Sequence, residues 1–164
     1  VTDHVERVLD QWRVQRPDLD VSPMAVLGRL TRLSQVVGTE LRKTFAAHGL
    51  DAASFDVLAT LRRSDPPHRL TPTELMRSAM ITSGGVTQRL DRLEERGLVT
   101  RARSEHDGRG VRVTLTDAGR ELIDAALPDH VATEARLLEP LTPAQRKQLA
   151  TALRTLLEAH GDSV

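Results

Sequence analysis

The sequence predicts a mainly α fold with one small β-hairpin, and three observations predict it. Apolar residues recur at helical spacing along most of the 164 residues, as in Met24, Leu27, Leu30, Leu33, Val37 and Leu41. Helix-start signals punctuate the chain: Ser22-Pro23, Asp51, Thr71-Pro72-Thr73-Glu74, Thr116 and Thr142-Pro143-Ala144-Gln145 each set a side-chain acceptor ahead of an apolar run. Val99 to Arg103 and Val111 to Leu115 read as strands, and the second alternates Val111, Val113, Leu115 with Arg112, Thr114, Thr116.

Taken in order, His4 to Val14 forms a short amphipathic helix through Val5, Val8, Leu9 and Trp12, broken by Arg16-Pro17-Asp18. Ser22 caps a long helix that runs to about Ala47 and stops near Gly49. Asp51 caps a helix over 52–63, which Ser64-Asp65-Pro66-Pro67 terminates. The Thr71 capping box opens a short helix, and Thr82-Ser83-Gly84 restarts the chain as another, running to Arg96 with Gly97 as its left-handed cap. The hairpin follows. Thr116 then caps a helix that is bent or broken at Pro128 and ends near Leu138, and the box at Thr142 starts the last one, lined by Leu149, Leu153, Leu156 and Leu157.

A capped helix, a tight turn, a second helix and a hairpin with a basic tip are, in that order, the parts of a winged helix-turn-helix. The expectation is one domain over 1–164. Within it 51–116 is the DNA-binding lobe, and the leucine-rich helices of 1–50 and 117–164 form a homodimer scaffold. The net charge is zero, yet residues 69–120 hold ten arginines against seven acids, so the lobe is the basic part. On the second helix of the pair, Val86, Leu90 and Leu93 share the inward face. The opposite side begins with Ser83, Gly84, Thr87 and Gln88, small or hydrogen-bonding groups with no acid among them, as entry into a major groove requires. Arg92 is a candidate phosphate contact. Arg109, between Gly108 and Gly110 at the hairpin tip, is a candidate minor-groove probe steadied by Asp107. The bland alternative is an ordinary solvated helix face and a soluble turn.

Thr71-Pro72-Thr73-Glu74-Leu75, the run from Thr87 to Val99, and Asp107-Gly108-Arg109 through Val113 to Arg120 resemble the MarR family. The resemblance covers nearly the whole chain. It implies a helical dimer with two winged lobes, and repression on a pseudo-palindromic double-stranded operator that a small ligand relieves. Within that family the chain is similar to the urate-responsive group, which has an extra N-terminal helix, and to the trans-aconitate-responsive regulators. Four residues of that group's ligand site fall on Trp12, Asp56, Arg89 and Arg101 here. The resemblance implies a small anionic ligand such as urate, held by Trp12 and the arginines, that disturbs an Asp56–Arg89 contact and shifts the reading helix. The residue pattern alone treats Trp12 as a packing anchor, Asp56 as solvent-exposed and Arg101 as an ordinary polar strand residue. It puts Arg89 at the inner edge of its helix, where an anionic partner suits it.

Other classes find less support. There is no cysteine, so disulfides and thiol sensing are excluded, and the six histidines are scattered without metal-ligand spacing, so no metal or other cofactor is expected. No phosphate loop, nucleophile motif or paired carboxylate speaks for an enzyme. No apolar run is long enough for a membrane helix and the first residues do not resemble a signal peptide, so the expected location is cytoplasmic. The runner-up within the family is a repressor of phenolic or drug-like ligands with an apolar pocket. A winged helix used only for protein contact is the other alternative.

Overall fold

The computed structural model describes residues 2–80, 86–103 and 110–162, with the backbone alone at Val86. It divides into two compact units, 1–43 and 44–164.

In the first unit, α1 (His4–Gln15) starts at the N-cap Asp3, whose carboxylate accepts the Glu6 N–H at 2.8 Å. Val5, Leu9 and Val21 form a small core with Ala25 against it. Arg29 bridges Asp3 (2.7 Å) and Glu6 (3.0 Å) and so pins α1 to α2 (Ser22–Ala47). Asp20, rather than Ser22, supplies the acceptor at the start of α2: its carboxylate takes both the Ser22 N–H (2.9 Å) and the Ser22 hydroxyl (3.0 Å). The expected stripe is present but exposed, with Met24, Leu27, Leu30 and Leu33 open to solvent. A stripe of that composition on a long helix is a face awaiting a partner.

The second unit opens with the end of α2. Phe45 stacks on Phe55 at 4.3 Å between ring centroids, and His130 lies against Phe55 at 4.8 Å. Then come α3 (Ala52–Arg63), β1 (Arg69–Leu70), α4 (Pro72–Ser78), α5 (Val86–Glu95), β2 (Val99–Arg103), β3 (Val111–Leu115), α6 (Asp117–Leu137) and α7 (Pro143–Ala159). Asp51, Thr71, Thr116 and Thr142 all cap as the sequence signals, with the full reciprocal box at Thr71 and Thr142. Two features differ from expectation. The sheet has a third strand, β1, paired to β3 through Arg69↔Thr114 and Leu70↔Val113, giving the antiparallel order β1-β3-β2. Two residues carry no periodicity, so no pattern reveals such a strand. The other concerns α6, expected to be bent or broken at Pro128: it is not broken there but runs as one helix through the proline, with Ile123 and Ala126 before it and Thr133 after it buried.

α3 is the hub of this unit: Leu58 and Leu61 are fully buried, and the helix packs on α4, α5, β3 and α6. Leu75, Leu90, Leu93, Val99 and Val113 complete the core from the elements around it. By contrast α7 buries none of its residues, and Leu149, Leu156 and Leu157 are exposed. Among the described residues no helix is long and apolar enough to cross a membrane.

Candidate nucleic-acid interface

Leu90 and Leu93 are 2% and 1% exposed, so α5 is seated on its apolar side as its spacing dictates. Thr87, Gln88 and Arg92 are then left on the solvent side, while Arg89 and Asp91 are half-buried at its edges. Gln88 and Arg92 are one turn apart and share a line along the helix. The helix ends in a Schellman motif: Gly97 N–H donates to Glu94 O (2.8 Å) and Leu98 N–H to Leu93 O (2.9 Å). Gly97 takes φ 68°, which an L side chain resists. Ser83, Gly84, Asp107 and Arg109 lie outside the described residues, as do the expected restart at Thr82 and the hairpin tip.

α4, the helix ahead of α5, is tied at both ends. Glu74 closes the capping box by accepting the Thr71 N–H (2.7 Å), and it also holds Arg112 of β3 at 3.3 Å. These contacts, the Thr71 N–H and hydroxyl first and the nearby arginines last, keep the Glu74 carboxyl below its usual range. At the far end Arg63 donates to Ser78 O, and the Asp56 carboxylate accepts the Met80 N–H at 3.2 Å. Asp56 is therefore buried, 7% exposed, which corrects the exposed position its place on the helix pattern implies. The reason is local. The chain leaving α4 presents a backbone donor to α3, and a carboxylate there satisfies it.

Of the other residues singled out for a ligand, Arg101 is the most engaged. Its main-chain N–H donates to Glu94 Oε1 (2.8 Å), and its Nε and Nη2 donate to Glu94 Oε2 (2.9 and 2.7 Å). Nη2 also lies 2.6 Å from Asp91 Oδ1. The guanidinium holds Glu94 below the ordinary carboxylate range, and the two acids raise Arg101 in turn. These two partners of Arg101 escape a reading that treats strand and helix separately. Their one available signal is the i,i+3 spacing of two acids on the helix that precedes the strand.

Arg89 acts electrostatically on Asp51. Burial pushes the Asp51 carboxyl up, but the Ser54 N–H, the Ser54 hydroxyl and the Arg89 charge together bring it below its usual range. Arg96, also unforeseen, donates from Nη1 to Gly49 O at 2.9 Å and ties the end of α5 to the corner after α2. Trp12 belongs to the first unit and is 43% exposed, so the packing-anchor reading does not hold for it. Val5 and Leu9 take the buried side of α1 instead. Among the described residues no group of three or more His, Asp and Glu side chains is arranged to hold a metal ion.

A family model described as the MarR family matches residues 48–110. The chain is 41% identical over 153 residues to the HTH-type transcriptional regulator PecS of Dickeya dadantii, covering 93% of this chain and 90% of that protein. Among solved structures it is similar to Sco3205, a MarR family transcriptional regulator from Streptomyces coelicolor, in complex with DNA. The TM-score there is 0.78, with 29% identity over 86% of this chain and 92% of that one. It is also similar to Bordetella bronchiseptica BpsR, whose structure concerns regulation of DNA binding by 6-hydroxynicotinic acid. That match has a TM-score of 0.72 and 27% identity, over 80% of this chain and 91% of the other.

Proposed function

The chain belongs to the MarR family of transcriptional regulators, and from that premise we propose that it is a homodimeric repressor whose operator binding is attenuated by a small anionic ligand of the urate type. The observation that carries the DNA part is the division of α5. Leu90 and Leu93 are buried, and Thr87, Gln88 and Arg92 stand free on the opposite side. The solved DNA complex of Sco3205 supports the same use of the fold. Gln88 then reads a base edge, Thr87 a base or phosphate, and Arg92 a phosphate, with Ser83, Gly84, Asp107 and Arg109 proposed as the remaining contacts. Two copies place two reading helices in successive major grooves about 34 Å apart on a pseudo-palindrome. The exposed leucines of α2 and of α7 suit burial between copies.

The effector is assigned to Asp56, Arg89 and Arg101 in the second unit, and Trp12 in the first is carried over on the resemblance alone. An anion is favoured because Arg89 on the reading helix and Arg101 beside it are half-buried cations able to hold one. BpsR, regulated by 6-hydroxynicotinic acid, supports a small acid as the class of effector.

The test is fluorescence anisotropy with DNA from upstream of the chain's own gene. Arg92→Ala is expected to weaken all sequences alike and lower the salt slope by about 2, one phosphate contact being lost from each subunit of the dimer. Gln88→Ala is expected to cost about 1–3 kcal/mol of discrimination at one base position. Urate is expected to quench Trp12 fluorescence and release the DNA, and unchanged affinity at millimolar urate removes urate as effector. A protein that forms no salt-dependent, sequence-preferring complex is not a DNA-binding repressor.

A further inference from the structure

We propose that Asp91 and Glu94 are built-in competitors for the Arg101 guanidinium, so that a carboxylate-like effector reaches Arg101 only by breaking the tie between the reading helix and the first strand of the wing. The inference rests on the anionic-effector reading above and adds the residues through which regulation runs.

The argument is one of donor counting. A guanidinium offers a planar acid two forks, Nε with Nη2 or Nη1 with Nη2, and both use Nη2. In this structure Nη2 already serves Glu94 Oε2 at 2.7 Å and Asp91 Oδ1 at 2.6 Å, and Nε serves the same Glu94 oxygen at 2.9 Å. A bidentate acid must therefore evict at least one of the two carboxylates. Glu94 is held twice, because its other oxygen takes the Arg101 main-chain N–H at 2.8 Å. The site is partly shielded, with side-chain exposures of 27% for Arg101, 44% for Asp91 and 35% for Glu94. An effector can reach it, yet the charges are not fully screened.

The position of this tie gives it consequence. Asp91 and Glu94 stand on the flank of α5, beside the line of Gln88 and Arg92, so the contact adds a polar restraint on the roll of a helix already seated by Leu90 and Leu93. Its other end is β2, the strand that leads toward the Arg109 segment. The contact thus couples the reading helix to the first strand of the wing. By linkage, any effector that opens it is itself opposed by operator DNA to the same extent.

The test uses the full chain with Glu94→Gln, the double variant Asp91→Asn/Glu94→Gln, and Glu95→Gln as a control. Glu95 is exposed on the same helix. Urate is the first probe and 6-hydroxynicotinate the second. Binding is read by calorimetry, and operator release by anisotropy at matched saturation. The double variant is expected to bind the probe about tenfold more tightly, since one charge-assisted competitor no longer has to be displaced. The probe is also expected to lose most of its power to release operator from that variant, because the tie it would break is already gone. Glu94→Gln falls between, and Glu95→Gln stays within about twofold of wild type, since an exposed charge off the contact is screened. Unchanged probe affinity in the double variant, or an equal gain from Glu95→Gln, overturns the competition. Tighter binding with wild-type release overturns the tie. A wild type that binds neither probe fails the effector reading itself, and this proposal with it. A responsive wild type whose variants do not differ fails this proposal alone.

Discussion

Gly119→Ala sets a familiar gain against a specific collision, and the structure decides which prevails. Gly119 is the third residue of α6, where alanine is normally better by about 1 kcal/mol. A Cβ built there, however, runs into the carbonyl oxygen of Leu98. It also stands 2.8 Å from Leu115 Cδ1 and 3.0 Å from the Leu98 carbonyl carbon. That carbonyl has little room to retreat: it accepts the Thr116 N–H at 3.2 Å, and the Thr116 hydroxyl is bonded to Gly97 O at 2.7 Å. Overpacking costs about 1–3 kcal/mol or more, and an obstacle made of backbone belongs at the upper end. The net is a loss of about 2 kcal/mol, or roughly 4–8 °C in Tm for a chain of this size. Thermal unfolding by circular dichroism reads it. Gly97→Ala supplies the contrast, since no atom of the described residues lies within 4 Å of a Cβ built there and the cost is that of φ 68°. Asparagine, which tolerates that backbone, should therefore be milder than alanine at 97 and worse than alanine at 119. A Gly119→Ala protein that melts at or above the wild-type temperature refutes the reasoning.

Two further predictions concern stability. Thr60 is 1% exposed and its hydroxyl has no hydrogen-bond partner among the described residues, so the near-isosteric Thr60→Val should stabilise by about 1 kcal/mol and raise Tm by a few degrees; a lower Tm would mean the hydroxyl is satisfied. Glu94 and Glu74 both titrate below their ordinary value of 4.5, so their contributions are fully present above that value and fade as pH falls through the lowered values. Tm measured against pH should be level near neutrality and decline below about 4.5, with a shallower acid limb in Glu94→Gln and Glu74→Gln. A melting temperature that rises on acidification contradicts the assignment.

Much of the architecture was legible because caps and apolar spacing are local. Asp51, Thr71, Thr116 and Thr142 stand one residue before the helices they start, and the reciprocal boxes close as written. The inward seating of Leu90 and Leu93 followed from a 3.6-residue period. What the chain hid was set by partners distant in sequence. Asp56 is buried because the main chain 24 residues later needs an acceptor, a demand no helical wheel of α3 displays. Arg101 looked like an ordinary strand residue because its partners sit on a different element. β1 is too short to show a period and exists only because β3 offers it an edge. The stripe of α2 was read as apolar and assigned to a dimer scaffold; in the single chain it is exposed, since a wheel identifies a face and not what covers it.

The central claim is that the outer face of α5 meets the floor of a DNA groove, and the absence of cysteine from this sequence allows it to be tested directly. Gln88→Cys, labelled with an iron-EDTA cleavage reagent and bound to operator, is predicted to cut the duplex at two clusters about one helical turn apart. The same label at Lys147→Cys on α7 should leave the DNA intact. Bound operator left uncut from position 88, or cut equally from 147, would contradict the account.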